Sequence, residues 1–321
     1  MVRYFDTAPW YGLGLSEARL GLGLSAFPRD EYQLSTKVGR RLTGHQNTET
    51  WESIGFAGGL QNDREFAYDY DDFMRQYEDS VQRLGTGRVE ALVIHDIEEA
   101  EGETPLHPRG ARANLVGPKG GYRALEQLRA SGKIKAFGAG INYAVGTHNH
   151  TAESYRQWNV DYFEFLVGLA AEGERPLDFV LLAGTHSLLN YSAWEDGIIA
   201  RCDELGIKVV LGGALGTGIL ATGAVAGAKY NYEDATEEVL AKVGKIEEVC
   251  KKFEIPIAAA ALQFPLGSTV VTTVIAGMAA PHEVVRAVET MNVRIPPEFW
   301  TTLKSQGLLP AGIPVPSPAC P

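Results

Sequence analysis

Apolar residues fall into two alternating rhythms along this chain. Short, mostly apolar runs of strand length cover Val2 to Phe5, Tyr32 to Thr36, Glu90 to His95, Ile134 to Asn142, Asp178 to Ala183, Ile207 to Gly212 and Val270 to Ala276. Between them, apolar positions recur at helical spacing. Met74, Tyr77, Val81 and Leu84 predict a helix over 71–83, closed by Gly85 and Gly87. Similar patterns predict helices from about Ser16 to Leu24, over 122–129, and over 198–205 with Gly206 as its stop. Others follow over 239–253, over 257–264, and from Pro281 onward. This alternation implies an α/β chain with a parallel sheet. A closed (β/α)8 barrel has eight strands and the count here is seven, so the expected fold is a TIM-type barrel with seven of its eight strands.

Some stretches break the rhythm. Residues 38–70 are rich in glycine, asparagine and charge, with scattered aromatics, and read as one long loop, either on the substrate side or a packed surface excursion. Residues 100–118 are polar with proline and glycine. Residues 151–176 read as a helix with an irregular extension, and the proline-rich tail from Leu308 to Pro321 as extended chain.

The composition narrows the classes. A chain of 321 residues with 45% hydrophobic content and no low-complexity break suits one domain over 1–321. The formal net charge of −11 argues against nucleic acid or an anionic membrane surface as partner. Three cysteines, Cys202, Cys250 and Cys320, lack the spacing of a thiolate metal site or a disulfide framework, which fits a reducing compartment. No apolar stretch approaches a membrane span of ~20 residues, so a cytoplasmic protein is expected. His148 and His150 stand two apart without a partnering acid or cysteine motif and read as loop, so no metal site is expected.

The candidate chemistry lies at strand ends. Asp6 and Lys37 each close an apolar run, and in a parallel barrel such positions face the catalytic mouth. Tyr11 lies in the loop after Asp6. A phenol near pKa 10 is a poor base at neutral pH, but an adjacent ammonium lowers that value, and a carboxylate holds the ammonium in place.

The string Phe5-Asp6-Thr7-Ala8-Pro9 with Tyr11-Gly12, then Leu15-Ser16-Glu17 and Ser35-Thr36-Lys37, resembles the aldo-keto reductase superfamily. The resemblance implies a catalytic tetrad of Asp6, Tyr11, Lys37 and His95, with Asp96 following the histidine. It assigns Asn142 to the nicotinamide carboxamide, for which a strand-end amide has a suitable donor and acceptor. It also assigns Gly213, Ala214, Leu215, Gly216 and Gly218 to the pyrophosphate side, and Gly277, Met278, Ala279 and Glu283 to the adenosine end. Glu283 would repel a 2′-phosphate, which implies NAD, with NADP as the alternative. In many relatives an aromatic residue near Gly212 stacks on the nicotinamide; none stands there in this sequence. Trp10 and Trp51 are candidates for lining the substrate pocket.

Weaker subgroup similarities point to sugar 1-dehydrogenases of the D-threo-aldose, L-fucose, D-arabinose and L-galactose type. They include Phe56-Ala57-Gly58-Gly59-Leu60, Leu181-Leu182-Ala183-Gly184 and the ending Gly307 to Pro316. The implied reaction oxidises an aldose at C1 to its lactone. Pyridoxal or a general aldehyde is the rival substrate, and a catalytically impaired nucleotide-binding relative is the rival of another class. Relatives carry a first strand and helix before the Asp-bearing strand, and here Met1 precedes it directly, so a shortened barrel is expected. The expected assembly is a monomer or weak homo-oligomer.

Overall fold

In this computed structural model residues 2–44, 56, 58–97, 110–142, 152–169 and 176–317 are described. The chain groups into two compact units, residues 1–140 with 169–179, and residues 141–168 with 180–321.

The first unit opens with β1 (Tyr4–Asp6), α1 (Leu15–Leu24) and β2 (Gln33–Val38), followed by β3 (Arg40–Gly44) and β4 (Asn62–Phe66). It continues with α2 (Tyr70–Leu84), β5 (Ala91–Ile94), α3 (Gly110–Leu115), α4 (Gly121–Ala130) and β6 (Ala136–Asn142), whose last two residues belong to the second unit. Strands β1, β2, β5 and β6 pair in that order and all run parallel. The register sets Asp6 opposite Ser35, and Lys37 opposite Val93. Side chains alternate along a strand, so Ser35 and Lys37 leave β2 on the same face as each other.

Helix α2 forms for reasons visible in its sequence. The Asp69 carboxylate accepts the Asp72 amide at 2.9 Å, Gly85 ends the helix at φ 62°, and Phe73, Tyr77 and Leu84 form its buried face. Helices α1 and α2 meet at Gly21, where an added Cβ would stand 1.8 Å from the Leu84 carbonyl oxygen. The same contact buries Glu17, which accepts from the Thr36 hydroxyl and from Arg83 Nε, each at 2.6 Å. A buried carboxylate survives through such partners.

The second unit carries α5 (Ala152–Gly168), β7 (Phe179–Ala183, beginning one residue inside the first unit), α6 (Ser192–Glu195), α7 (Ile198–Leu205), β8 (Lys208–Gly212) and α8 (Ile219–Thr222). A two-residue ribbon of β9 (Lys229–Tyr230) and β10 (Glu233–Asp234) leads into α9 (Glu237–Lys252), α10 (Ile257–Gln263), β11 (Val271–Val274), α11 (Pro281–Met291) and α12 (Pro297–Ser305). Strand order is β7, β8, β11, with β11 parallel to β8. A core of Val243, Ile246, Phe264, Phe299, Trp300 and Leu303 lies beneath α9, α10 and α12. Among the described residues seven parallel strands alternate with helices in chain order, which is the expected α/β class with seven strands of the (β/α)8 type.

The segment 38–70 differs from the expected single loop, because β3 and β4 form an antiparallel hairpin from Arg40↔Phe66 to Gly44↔Asn62. Its strands read Arg-Arg-Leu-Thr-Gly and Asn-Asp-Arg-Glu-Phe, too polar for an apolar alternation to reveal. Helix α12 also adds to the expected elements, built on Pro297 with Phe299, Trp300 and Leu303 turned inward. The described part of the tail has no regular structure, yet Leu308, Leu309 and Ile313 are buried, so it is pinned to the core.

Candidate active site

Asp6 ends β1 and Lys37 lies next to the end of β2, and pairing of the two strands brings their side chains together. The Lys37 ammonium, 2% exposed, forms an ion pair with the Asp6 carboxylate and donates to the Thr7 carbonyl at 2.9 Å. The other Asp6 oxygen accepts from the Ser35 hydroxyl at 2.5 Å. Lys37 Nζ stands 4.9 Å from the centre of the Tyr11 ring and acts on that phenol through its charge. Burial opposes the charge of Lys37, but the Asp6 carboxylate and the Tyr11 phenol hold the lysine above its ordinary pKa. It is a permanent cation.

Tyr11 corrects one expectation. Burial raises its pKa by more than Lys37 lowers it, so the phenol stays protonated at neutral pH instead of becoming more acidic than in water. A chain in this state holds a proton ready for donation.

His95 follows β5. Its amide donates to the Val38 carbonyl at 2.8 Å and its own carbonyl accepts the Tyr68 hydroxyl at 2.7 Å, which fixes the backbone on both sides. The imidazole meets Tyr11 edge-on, with ring centres 5.9 Å apart. Burial pushes the His95 pKa down to about 3, against the pull of Asp96, so the ring is neutral. Asp96 holds a left-handed backbone at φ 46°, pairs with buried Arg40, and lies 3.3 Å from His95 Nε2. Arg40 was not among the sequence candidates, since it stands in the polar run read as loop. A guanidinium two residues past a strand end in an otherwise polar segment gave no periodic signal.

Trp10 is half-buried, with Phe56 edge-on at 5.0 Å and the guanidinium carbons of Arg40 and Arg64 at 4.7 and 4.1 Å from its ring. Trp51, the other candidate for the substrate pocket, lies outside the described residues, as do His148, His150 and Cys320. Beside Tyr11 a cavity of about 510 Å³ opens, lined by Leu15, Ser16, Arg19, Leu20 and Phe56 as well as the phenol. Among the described residues no group of His, Cys, Asp and Glu is arranged to hold a metal ion, and no helix is long and apolar enough to cross a membrane.

The residues expected to hold a cofactor lie in the second unit. Asn142 ends β6 and is half-buried. Gly213 follows β8 at φ 74°, with an added Cβ only 2.7 Å from the Gly184 amide, so only glycine fits that turn. Gly216 and Gly218 donate to the carbonyls of Gly213 and Leu215 at 3.0 Å each, closing the turn that leads into α8, while Ala214 is buried. At the start of α11 the Glu283 carboxylate accepts the amides of Ala279 at 2.6 Å and Ala280 at 3.2 Å, and these bonds lower its pKa. Gly277 and Met278 precede it, and Arg286 is exposed one turn further on.

A buried carboxylate and ammonium joined to a phenol, with a neutral imidazole at its edge, form a device for moving a proton to or from an oxygen atom. The first unit therefore gathers groups whose chemistry suits acid–base work. The description "Aldo/keto reductase family" matches residues 1–307, and the chain belongs to that family. It is 35% identical over 316 residues to a pyridoxal 4-dehydrogenase of Microbacterium luteolum, covering 96% of this chain and 85% of that protein. A D-threo-aldose 1-dehydrogenase of a Pseudomonas species is 30% identical over 321 residues, with the same coverages. Among solved structures, an aldo-keto reductase of Bacillus halodurans in its holo form aligns with TM-score 0.66 and 21% identity over 97% of this chain and 84% of its own. A glycerol dehydrogenase of Gluconobacter oxydans aligns with TM-score 0.65 and 18% identity, over 98% and 83%. The chain is thus an oxidoreductase of a family that works with nicotinamide cofactors.

Proposed function

We propose that this enzyme oxidises a cyclic hemiacetal to a lactone with NAD, the substrate being an aldose attacked at C1. The observation that carries the reading is the buried Lys37–Asp6 pair facing Tyr11, with neutral His95 beside it. Tyr11 takes the proton of the anomeric hydroxyl, and Lys37 stabilises the phenolate that this requires. Asp6 holds Lys37, and the imidazole of His95 orients the substrate oxygen. A bound nicotinamide supplies the hydride acceptor. Asn142 would hold the nicotinamide, the Gly213 turn the pyrophosphate and the segment at Glu283 the adenosine end of the dinucleotide, and the Glu283 carboxylate at the start of α11 supports NAD over NADP.

The 35% identity to a pyridoxal 4-dehydrogenase favours a second substrate reading. Pyridoxal closes on its own hydroxymethyl group to a cyclic hemiacetal, so the bond chemistry is the same and only the ring differs. A panel of D-threo-aldoses, L-galactose and pyridoxal, assayed with NAD and with NADP, separates them. Tyr11→Phe should abolish oxidation and retain cofactor binding, as followed by quenching of protein fluorescence. Full activity in that variant overturns the assignment of Tyr11, and no oxidation of any panel member by the parent protein favours a non-catalytic nucleotide-binding protein.

A further inference from the structure

Tyr4 stands two residues before Asp6 on β1, and Ser35 two before Lys37 on β2, so each shares a strand face with a member of the tetrad. The Tyr4 hydroxyl lies 2.7 Å from Ser35 Oγ, which in turn donates to Asp6 at 2.5 Å. Together with the Asp6–Lys37 pair, and with the Lys37 ammonium 4.9 Å from the centre of the Tyr11 ring, these contacts make a series from Tyr11 to Tyr4. Ser35 and Lys37 are buried, whereas Tyr4 is partly exposed. The series therefore runs from the strand ends that carry the acid–base residues back towards the strand starts.

Oxidation of a hydroxyl releases one proton per turnover, and that proton has to leave a pocket filled by substrate and cofactor. We propose that Ser35 and Tyr4 relay it from the Tyr11–Lys37–Asp6 group to water, an inference that rests on the oxidation proposed above. In enzyme whose Tyr11 has ionised, a fraction that grows as pH rises, the hydroxyl proton passes to the phenolate while the carbon's hydride goes to the nicotinamide. Lys37 takes that proton as it gives one of its own to Asp6, which restores the phenolate. Asp6 passes its proton to Ser35 Oγ, Ser35 gives its own to Tyr4, and Tyr4 gives its own to a water molecule. Every group ends with the protons it started with, and one hydronium is released.

The orientation of the hydroxyls supports this order. With Asp6 ionised, Ser35 donates to it and Tyr4 to Ser35, and a proton arriving on Asp6 turns the acceptor into a donor and reverses both bonds. Burial pushes the Tyr4 pKa up to about 12, so its hydroxyl remains neutral and able to both give and accept throughout the working range.

Tyr4→Phe removes only the terminal oxygen, and Ser35→Ala removes the middle link. The test measures kcat, KM and the solvent deuterium isotope effect on kcat for parent and both variants, with thermal midpoints as the check on folding. General acid–base steps contribute about 10²–10⁴-fold, and links that stand behind Tyr11, Lys37 and Asp6, as Ser35 and Tyr4 do, should be worth less, about tenfold. Both variants should lower kcat by that factor with KM unchanged and a larger isotope effect. Independently of turnover, ionisation of Tyr11 after a pH jump, read as ultraviolet difference absorbance against Tyr11→Phe, should be slower in Tyr4→Phe. Parent-like kcat and isotope effect in a folded Tyr4→Phe protein overturn the relay alone. Absence of turnover in the parent overturns the oxidation reading and the relay with it. Should Ser35→Ala not fold, Tyr4→Phe decides.

Discussion

Lys37→Met tests how the tetrad sets the acidity of Tyr11. The ammonium lies 4.9 Å from the phenol ring, and at an effective dielectric constant near 20 a unit charge at that distance is worth roughly 3.4 kcal/mol, or about two and a half pKa units. Removing it leaves burial and Asp6 acting on the phenol, and both raise its pKa. Oxidation needs the phenolate, so its rate rises with pH through the Tyr11 pKa. Raising that pKa carries the limb to higher pH and costs up to roughly 300-fold at neutral pH. The single variant also strands a buried carboxylate, which by itself destabilises by about 3–5 kcal/mol. The double variant Asp6→Asn/Lys37→Met removes both charges and should recover most of that stability. Its phenol loses the Asp6 charge too, so the limb should move by about one to two units. The assay is the pH profile of kcat for oxidation, with urea midpoints measured alongside. A double variant that is stable and keeps the parent's limb would refute the claim that Lys37 governs Tyr11.

Three further outcomes follow from the geometry. His95 and His186 have folded pKa values of about 3 and about 4, both below the unfolded value because of burial. Their stability contribution is therefore fully present above pH ~6.5 and is lost as pH falls towards those values, by up to about 1.4 kcal/mol per unit per histidine. Urea midpoints at pH 7 and pH 5 check this, and His186→Phe should flatten the slope; equal midpoints in the parent would contradict it. On helix α1, Gly21→Ala drives a methyl into the Leu84 carbonyl and should cost at least about 3 kcal/mol, while Gly23→Ala meets nothing within 4 Å and should stabilise by about 0.5–1 kcal/mol. Thermal melts of the pair decide, and similar effects from both would show that the α1–α2 contact is looser than described. For Glu283→Gln, the ratio of kcat/KM with NAD to that with NADP should fall, because the carboxylate opposing a phosphate is gone; an unchanged ratio would place cofactor selection elsewhere.

Much of this was legible in the sequence because it rests on local rules. The strand runs ending at Asp6, Lys37 and His95, and the helix stops at Gly85 and Gly206, follow from apolar periodicity and turn chemistry. The meeting of Asp6 with Lys37 follows from parallel pairing once those strands are placed. The polar hairpin β3–β4 left no such trace. Its order comes from cross-strand pairs and from contacts such as Arg40 with Asp96, which join residues 56 positions apart. The acidity of Tyr11 was misjudged for a related reason. Its sequence neighbours show the charges that will surround it but not how deeply it is buried, and burial wins.

Gly39 joins the lysine strand to that hairpin in a single residue, at φ 118°, where a Cβ would stand 2.7 Å from the Tyr68 ring. The hairpin then closes on itself at Gly44↔Asn62. Whatever chain lies between those two residues starts and finishes at fixed points a short ladder away from Lys37. Exchanging the stretch between 44 and 62 for that of a relative would therefore keep the Asp6–Lys37 pair while replacing Phe56 beside Trp10 and the Leu60 amide that donates to the Gly12 carbonyl, and so would recast the wall of the cavity beside Tyr11.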